Sequence, residues 1–532
     1  MKTNNAIRFL ALSLLILAYS CVRLDTAPYD RETDITYWET NPNAAIEALN
    51  TCYTYLASMD ELIYSEGMTD NAYSKQPNDA TQNIGNGSFS TADSYVKLVW
   101  DSRYTGIRIC NQLLENIDRV PNLSNELKAR YIGEAKVIRA YHYYELYTKF
   151  GAVPYTTKVM SIKESMTISR TSRSEVVSSI LTELDEVISN NYLPFSYGST
   201  DKGRITHWAA LAIKAKIYLF ESNWDKVKEI TAEIIEKGEF HLFESYSGLF
   251  EINNEYNPEV ILDAQYRPTS REHQMMYVFL PPSLGGYAKI APLQSLIDNY
   301  IMINGKAIHE SGSNYDENNP YKDRDPRMKA SVIYTGNSYT KSDGTNLIIN
   351  CQSGEDSYGF ASNSTPTGYY IKKYWDNTYR ATLYSGLNPI IIRYADVLLM
   401  NAEASAELGV FDEKVWNLTI KPIRERAGFK NQEALAFPTH ASSQDLKNLV
   451  RSERRSEFAF EGLRHKDIMR WRLAENVLNG WCYGFYTGDV SGADNGYVRI
   501  EERLFDRSKH YLWPIPQAER DLNKNLEQNP NW

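Results

Sequence analysis

Two helical patterns joined by a short turn occupy residues 207–238 and constrain the fold more than any other feature of the chain. In the first pattern, apolar residues recur every three or four positions, at Trp208, Leu211, Ala215 and Leu219. Thr206 stands at the position of an N-cap, the second pattern begins at Asn223, and Gly238 is placed to stop it. Two such helices with alanines at their contact are typical of a tetratricopeptide-type unit of about 34 residues.

A second unit of this kind is expected in the C-terminal part of the chain. Its first helix begins at Tyr394 and stops at Gly409, and its partner is expected over about 412–427 with a break at the Lys-Pro pair 421–422. Further helices are predicted at about 42–60, 94–119, 124–149 and 173–190. Because helix pairs need neighbours to bury their apolar faces, we predict a mainly α fold in which four tetratricopeptide-like pairs form a right-handed array. A generic α-bundle is the alternative.

Residues 240–390 have a different composition, rich in Pro, Gly, Asn, Ser and Tyr. Short apolar runs at 260–262 and 369–371 predict brief strands within it. We therefore predict a loop-rich, irregular insert with short β-hairpins (240–390) between a helical region (41–239) and a C-terminal region (391–532) that completes the array. Recognition usually lies on loops that a rigid scaffold holds in place.

The first residues predict a secretory signal. Lys2 and Arg8 precede an apolar run at 9–18, which is too short for a membrane span of about 20 residues. The run leads into Ser20 and Cys21, which resemble a bacterial lipoprotein cleavage box. We therefore predict a signal peptide at 1–20, acyl chains on Cys21 and a tether at 21–40; an ordinary signal with a chance cysteine is the alternative.

Charge and cysteine spacing narrow the function classes. The net charge of the chain is −10, and it becomes −12 without residues 1–20, which hold two basic and no acidic residues. So acidic a chain disfavours nucleic acid as a partner. Once Cys21 carries lipid, the remaining cysteines lack the spacing of a zinc site, so we predict that they are free and buried: Cys52, Cys110, Cys351 and Cys482.

No catalytic motif is found. The chain has no G-x-S-x-G, H-E-x-x-H, P-loop or C-x-x-C sequence, although the carboxylate pair of a glycoside hydrolase is not recognisable from spacing. Four residues offer the oxygen ligands of a calcium loop: Asp316, Asn318, Asp323 and Asp325. Tyr321 stands where such a loop requires glycine, so a solvated acidic loop is favoured. We predict a non-enzymatic protein without a cofactor or metal.

Ten short motifs occur in a fixed order along nearly the whole mature chain. They lie at 100–111, 133–140, 150–154, 324–327 (RDPR), 367–370 (TGYY), 392–404, 424–428, 453–462, 513–516 and 525–530. In this order they resemble the SusD/RagB family of outer-membrane lipoproteins. Pro389, just before the motif at 392–404, departs from the pattern. Within the motif at 453–462 and just after it, acidic and basic residues alternate, which predicts a buried or interfacial ion network: Glu453, Arg454, Arg455, Glu457 and Arg464.

The resemblance implies a function and a place in the cell. It implies a glycan-binding lipoprotein, anchored by lipid in the outer membrane and facing the cell surface, that delivers oligosaccharide to a SusC-like TonB-dependent transporter. A surface glycoside hydrolase and a peptide-capturing member of the same family are the alternatives.

Six residues are the candidate glycan ligands. A sugar ring needs a flat aromatic platform and polar groups for its hydroxyls, and two polar loop regions offer both. The first region, 68–94, contributes Asp70, Asn71, Tyr73 and Phe89, and the second, 271–290, contributes Tyr277 and Tyr287. Trp375 is a reserve candidate. Family members form their ligand surface from similar loops, so we expect the two regions to converge.

Overall fold

The computed structural model describes residues 33–75, 80–341, 343–491 and 494–532. The predicted signal peptide and Cys21 lie outside the described residues. Within the predicted tether, residues Thr36–Thr40 form a helical turn and Trp38 is buried. The folded body therefore begins before the boundary at residue 40 that was predicted for the tether.

In the part of the chain that the structure describes, nine α-helices precede the insert. In chain order they are α1 (Ala44–Tyr53), α2 (Met59–Glu66), α3 (Ala80–Asn86), α4 (Ser94–Asn116), α5 (Asn125–Phe150), α6 (Ile162–Ser165), α7 (Arg173–Ser189), α8 (His207–Phe220) and α9 (Trp224–Lys237). The single helix predicted at 42–60 is two helices, because the chain turns at residues 54–58 and Ser58 caps the second one through the backbone N–H of Glu61.

The remaining helices are mostly short. They are α10 (Met275–Phe279), α11 (Gln294–Asn299), α12 (Pro326–Ser331), α13 (Tyr394–Glu407), α14 (Glu413–Leu418), α15 (Ile420–Ala427), α16 (Gln432–Leu435), α17 (Ser443–Glu457), α18 (Arg464–Arg470), α19 (Ala474–Val477) and α20 (Gln517–Leu522). The break predicted at residues 421–422 lies at Thr419 instead, because Pro422 is tolerated in the first turn of α15, where its missing N–H has no helical partner.

The long helices pack in a continuous series. Helix α4 contacts α5, α5 contacts α7, α7 contacts α8, α8 contacts α9, and α9 contacts α13. The predicted caps are present, because Thr206 accepts a hydrogen bond from the backbone N–H of Ala209 and Asn223 accepts one from that of Lys226. The contact between α9 and α13 joins the two predicted units across the insert. The mainly α fold with a tetratricopeptide-like array is confirmed.

Among the described residues, ten short strands form two-stranded antiparallel sheets. The strands are β1 (Ala72–Ser74), β2 (Val260–Asp263), β3 (Ile290–Pro292), β4 (Val332–Ile333), β5 (Ser338–Thr340), β6 (Asn346–Ile348), β7 (Tyr370–Ile371), β8 (Ile390–Arg393), β9 (Asn479–Tyr486) and β10 (Tyr497–Leu504). The pairs are β1–β3, β2–β8, β4–β7, β5–β6 and β9–β10. Strands β2 and β7 confirm the two predicted apolar runs.

Sheet pairing differs from the expected set of hairpins within the insert. Strands β5 and β6 form a local hairpin, but β1–β3, β2–β8 and β4–β7 each join segments that are distant in sequence. The longest hairpin, β9–β10, lies in the C-terminal region, where only helices were predicted. Register shifts interrupt the pairing of the two strands, so their sequences lack the regular alternation of apolar and polar residues that predicts a strand.

The four cysteines of the described residues are free, as predicted, and Cys52, Cys110 and Cys351 are buried. Cys482 is only partly buried. Among the described residues, no helix is both long enough and apolar enough to cross a membrane.

Candidate functional site

The interior of the C-terminal half contains a network of buried ion pairs. Glu457 on α17 is completely buried and pairs with Arg327, Arg393 and Arg426. The Glu457 Oε2–Arg327 Nη1 distance is 3.0 Å, and the Glu457 Oε1–Arg393 Nη1 distance is 2.6 Å. Burial alone would raise the pKa of Glu457, but the three guanidinium charges hold that pKa well below its usual range.

The same network ties the insert to the helical array. Arg393, at the end of β8, also pairs with Glu259 at 2.7 Å and with Glu461 at 2.8 Å. Arg454 on α17 pairs with Asp396 on α13 at 2.9 Å and with Asp467 on α18 at 3.2 Å. The ion network predicted from the alternating charges at 453–464 is therefore confirmed. Its carboxylates have arginine partners, which suits a structural role.

Two of the predicted glycan ligands, Asp70 and Asn71, are likewise buried and paired with arginine side chains. Asp70 is buried and accepts two hydrogen bonds from Arg464, each at 2.8 Å, and its Oδ2 lies 3.1 Å from Arg455 Nη2. Asn71 is completely buried, donates to Glu66 at 2.8 Å and accepts from Arg455 at 2.8 Å. The expectation that their side chains face a ligand is wrong, because each side chain is enclosed by its own partners.

Phe89 is also buried, so its assignment to the ligand surface is wrong. Its ring lies 5.0 Å from that of His510 and 4.7 Å from that of Trp532, between centroids. The polar composition of 68–94 suggested an exposed loop, but the C-terminal segment covers this part of it. A ring packed in this way stabilises the fold through apolar burial.

Tyr277 and Tyr287 form an exposed aromatic pair. Their ring centroids are 5.3 Å apart with an interplanar angle of 20°, and the residues are 37% and 46% exposed. Tyr277 lies on α10, and the backbone N–H of Tyr287 donates to the Tyr277 carbonyl at 2.8 Å. The pair thus presents a broad aromatic surface to solvent from a backbone that is hydrogen-bonded in place.

A turn rich in Pro and Gly positions Tyr287. The backbone N–H of Gly286 donates to the Pro281 carbonyl at 2.9 Å, and Gly285 has a left-handed φ of +87°. A Cβ atom on Gly286 would lie 2.0 Å from the Leu280 carbonyl oxygen, so this position requires glycine. Asp356 fixes the same turn from the side by accepting hydrogen bonds from the Ser283 backbone N–H and hydroxyl at 2.9 and 2.6 Å.

The tyrosine pair lies between two surface depressions. One, of about 450 Å³, is lined by both tyrosines together with polar residues that include Asp60, Glu272, Gln274 and Lys289. The other, of about 290 Å³, is lined by Tyr277 together with Ser283, Thr340, Lys341, Trp375, Arg380 and Thr382. An aromatic platform with hydrogen-bonding groups on both sides is the chemistry that a sugar ring requires.

Trp375, the reserve candidate, lines the smaller depression. It is half-buried, and its ring centroid lies 4.4 Å from that of Tyr339. Its indole Nε1 has no hydrogen-bond partner within the part of the chain that the structure describes. Trp375 therefore contributes an aromatic wall beside Tyr277.

The two predicted loop regions converge, as expected. Strand β1 pairs with β3, Tyr73 lies opposite Ala291, and the backbone N–H of Lys75 donates to the Lys289 carbonyl at 2.8 Å. Tyr73 itself is half-buried, and its hydroxyl accepts a hydrogen bond from Gln82 at 3.2 Å. The aromatic surface is thus built mainly by the second region, with the first region supporting it.

In the described ranges, no three His, Cys, Asp or Glu side chains come together as a metal ion would require. Of the four candidate ligands of a calcium loop, Asp325 is buried and pairs with Arg327 at 2.7 Å. Asp316 caps its own turn through the backbone N–H of Asn318 at 3.0 Å.

Comparison with protein families identifies the chain. A model described as the SusD family matches residues 249–532, which is more than half of the chain. The chain belongs to the SusD family. A second model, described as starch-binding and associating with the outer membrane, matches residues 25–219. Family membership therefore associates this chain with carbohydrate binding at the outer membrane.

Individual SusD-like proteins match most of the chain. SusD-like protein P25 of Formosa agariphila is 26% identical over 84% of this chain and 83% of its own length. SusD-like protein P38 of the same organism is 25% identical over 99% of this chain and 98% of its own length. A SusD-like carbohydrate-binding protein of Bacteroides fragilis has a similar structure, with a TM-score of 0.83 and 27% identity over 92% of this chain and all of its own.

Proposed function

We propose that this SusD-like protein captures oligosaccharide at the cell surface with Tyr277 and Tyr287 and delivers it to a partner TonB-dependent transporter. The observation that carries the proposal is the stacked, exposed tyrosine pair between two polar depressions. Each ring offers a flat face to the C–H groups of a sugar, while Glu272, Gln274 and Arg380 are placed to pair its hydroxyls.

The lipid anchor is part of the proposal. Acyl chains on Cys21 would hold the folded body at the outer membrane, facing the cell surface. A Cys21→Ala variant should lose its membrane attachment or keep its signal peptide. Membrane fractionation of cells that carry the variant tests this, and an unchanged distribution would contradict the anchor.

The transporter partner is the other part. A stable complex with a barrel protein needs an interface of about 2,000 Å² or more. We expect the full-length protein to copurify with a TonB-dependent transporter from detergent extracts. Isolation as a clean monomer, with the transporter present in the same membrane, would contradict the partnership.

The binding proposal is tested with a panel of glycans and peptides. Affinity electrophoresis should show retardation by at least one glycan and by none of the peptides, without release of new reducing ends. The Tyr277→Ala/Tyr287→Ala variant should bind this glycan more weakly, and Phe360→Ala, which removes a 63% exposed ring elsewhere, should bind it as the wild type does. Retardation by peptides alone, or release of reducing ends, would favour one of the two alternatives that the sequence left open.

A further inference from the structure

A second aromatic cavity lies away from the tyrosine pair. It is formed where the connection between α7 and α8 meets the segment that follows α9, and its volume is about 680 Å³. That is larger than either depression beside Tyr277 and Tyr287. Five aromatic side chains line it: Phe195, Tyr197, Trp208, Phe240 and Tyr256. None of its lining residues lines the other two depressions.

Two of these rings are exposed although their positions are held. Phe195 is 54% exposed, and its centroid lies 4.6 Å from the His207 ring and 5.3 Å from the Trp208 ring. Tyr256 is 43% exposed, and its hydroxyl donates to Gln265 Oε1 at 2.6 Å. The cavity therefore has two ordered aromatic platforms that remain open to solvent, an arrangement that apolar burial alone would not favour.

The backbone at the rim is strained. Tyr256 has a φ of +58° and Glu239 a φ of +50°, and both residues line the cavity. The left-handed region is costly for a bulky side chain and persists only where the surrounding structure enforces it. Gly203 fits the same arrangement, because a Cβ atom there would lie 2.3 Å from the Gln265 side chain that holds Tyr256.

The polar lining is mixed in charge. Lys202, Lys237 and Glu239 are exposed around the opening. At the floor, Asp263 is buried and accepts hydrogen bonds from Gln265 at 2.5 Å and from Asn388 at 3.0 Å. Charges of both signs around aromatic walls disfavour a strongly anionic or a purely apolar occupant, and they suit a neutral ligand with many hydroxyls.

We infer that this cavity is a second oligosaccharide-binding site, in which Phe195 and Tyr256 stack on sugar rings. The inference rests on the proposed function for its class of ligand, but it concerns different residues. Residues 263–277 run from the floor of the cavity to Tyr277, so one segment of chain connects the two sites. Two sites on one body would bind a long glycan more tightly than either site alone through a raised effective concentration.

The test compares short and long forms of the glycan that the wild-type protein binds. The second-site variant is Phe195→Ala/Tyr256→Asn, since asparagine tolerates the left-handed backbone at position 256. Isothermal titration with a short oligosaccharide should give two sites per wild-type chain and one site in this variant. The apparent affinity for the polysaccharide should fall at least tenfold, with the melting temperature nearly unchanged.

Two controls separate this inference from the proposed function. The Tyr277→Ala/Tyr287→Ala variant should keep one site per chain, the site that contains Phe195, and Phe360→Ala should keep both. An unchanged stoichiometry and polysaccharide affinity in Phe195→Ala/Tyr256→Asn would overturn the second site and leave the proposed function intact. A wild-type protein that binds no glycan would overturn both.

Discussion

The buried ion network and the exposed tyrosine pair use polar and aromatic residues for opposite purposes. The Glu457 carboxylate is completely buried and enclosed by arginine partners, at 3.0 Å from Arg327 and 2.6 Å from Arg393. At Tyr277 and Tyr287 the rings are positioned by backbone hydrogen bonds and a glycine turn, and their faces are left open. A residue type alone therefore does not indicate a binding site. The two regions differ in whether their side chains already have partners within the protein: the Glu457 carboxylate does, and the exposed faces of the two tyrosine rings do not.

The largest effect is expected from removing the centre of the ion network. Glu457→Ala leaves Arg327, Arg393 and Arg426 buried without this partner, and breaking a buried pair costs about 3–5 kcal/mol. We expect a loss of unfolding free energy at the upper end of that range, measured by urea denaturation. Lys226→Ala, which breaks the exposed pair with Glu229, should leave the midpoint unchanged. Equal effects in both variants would contradict the structural role of the network.

A smaller loss of stability is expected at Asp70, where sequence reasoning placed a glycan ligand. Asp70→Ala leaves Arg464 and Arg455 without their buried carboxylate, at a cost of about 3 kcal/mol. Glycan affinity, measured below the melting transition, should be unchanged. A variant that keeps its stability but loses glycan binding would return Asp70 to the ligand surface.

The pH dependence of stability distinguishes paired from unpaired buried carboxylates. Burial raises the pKa of Glu66 and Glu255 to about 7 and that of Asp263 to about 6. With the folded pKa above the unfolded one, near 4 for these carboxyls, the stabilising contribution is complete only below about pH 4 and is lost as the pH rises through 6–7. The pKa of Glu457 is lowered, so its contribution to stability is complete above about pH 4 and is lost only in stronger acid.

Between about pH 4 and pH 7 these three carboxyls therefore lower the unfolding free energy as the pH rises, whereas buried histidines act in the opposite direction, because burial lowers the pKa of His273 to about 4 and that of His465 to about 3. Glu255→Gln removes one of the lowering contributions, so the unfolding free energy of the variant should fall less, or rise more, over this range than that of the wild type. Urea midpoints of wild type and variant at several pH values measure the difference. Parallel curves for the two proteins would contradict this role of Glu255.

The smallest effect is expected at Tyr73. Its ring is half-buried in β1, and its hydroxyl accepts one hydrogen bond from Gln82. Tyr73→Phe should lower the unfolding free energy by about 1 kcal/mol or less and leave glycan affinity unchanged. A clear loss of affinity would show that the first loop region contributes directly to the ligand surface.

Much of the scaffold could be predicted because its signals are local. The helix cap at Thr206, the helix start at Asn223 and the charge alternation at 453–457 can each be read within a few residues. The burial of Asp70, Asn71 and Phe89 could not, because a polar segment reads alike whether it is solvated or enclosed by distant arginines and aromatic rings. Hairpin β9–β10 could not be predicted from the sequence because its register is irregular. The cavity of Phe195 and Tyr256 could not be predicted because its two walls are about 60 residues apart in the chain.

A structure of the complex with the bound oligosaccharide tests the central claim most directly. The sugar rings should lie against the exposed faces of Tyr277 and Tyr287, within ordinary van der Waals distance of about 4 Å. Their hydroxyls should reach polar groups of the adjoining depressions, such as Glu272 or Arg380. Density for the ligand elsewhere on the protein, with both tyrosine faces bare, would contradict the account.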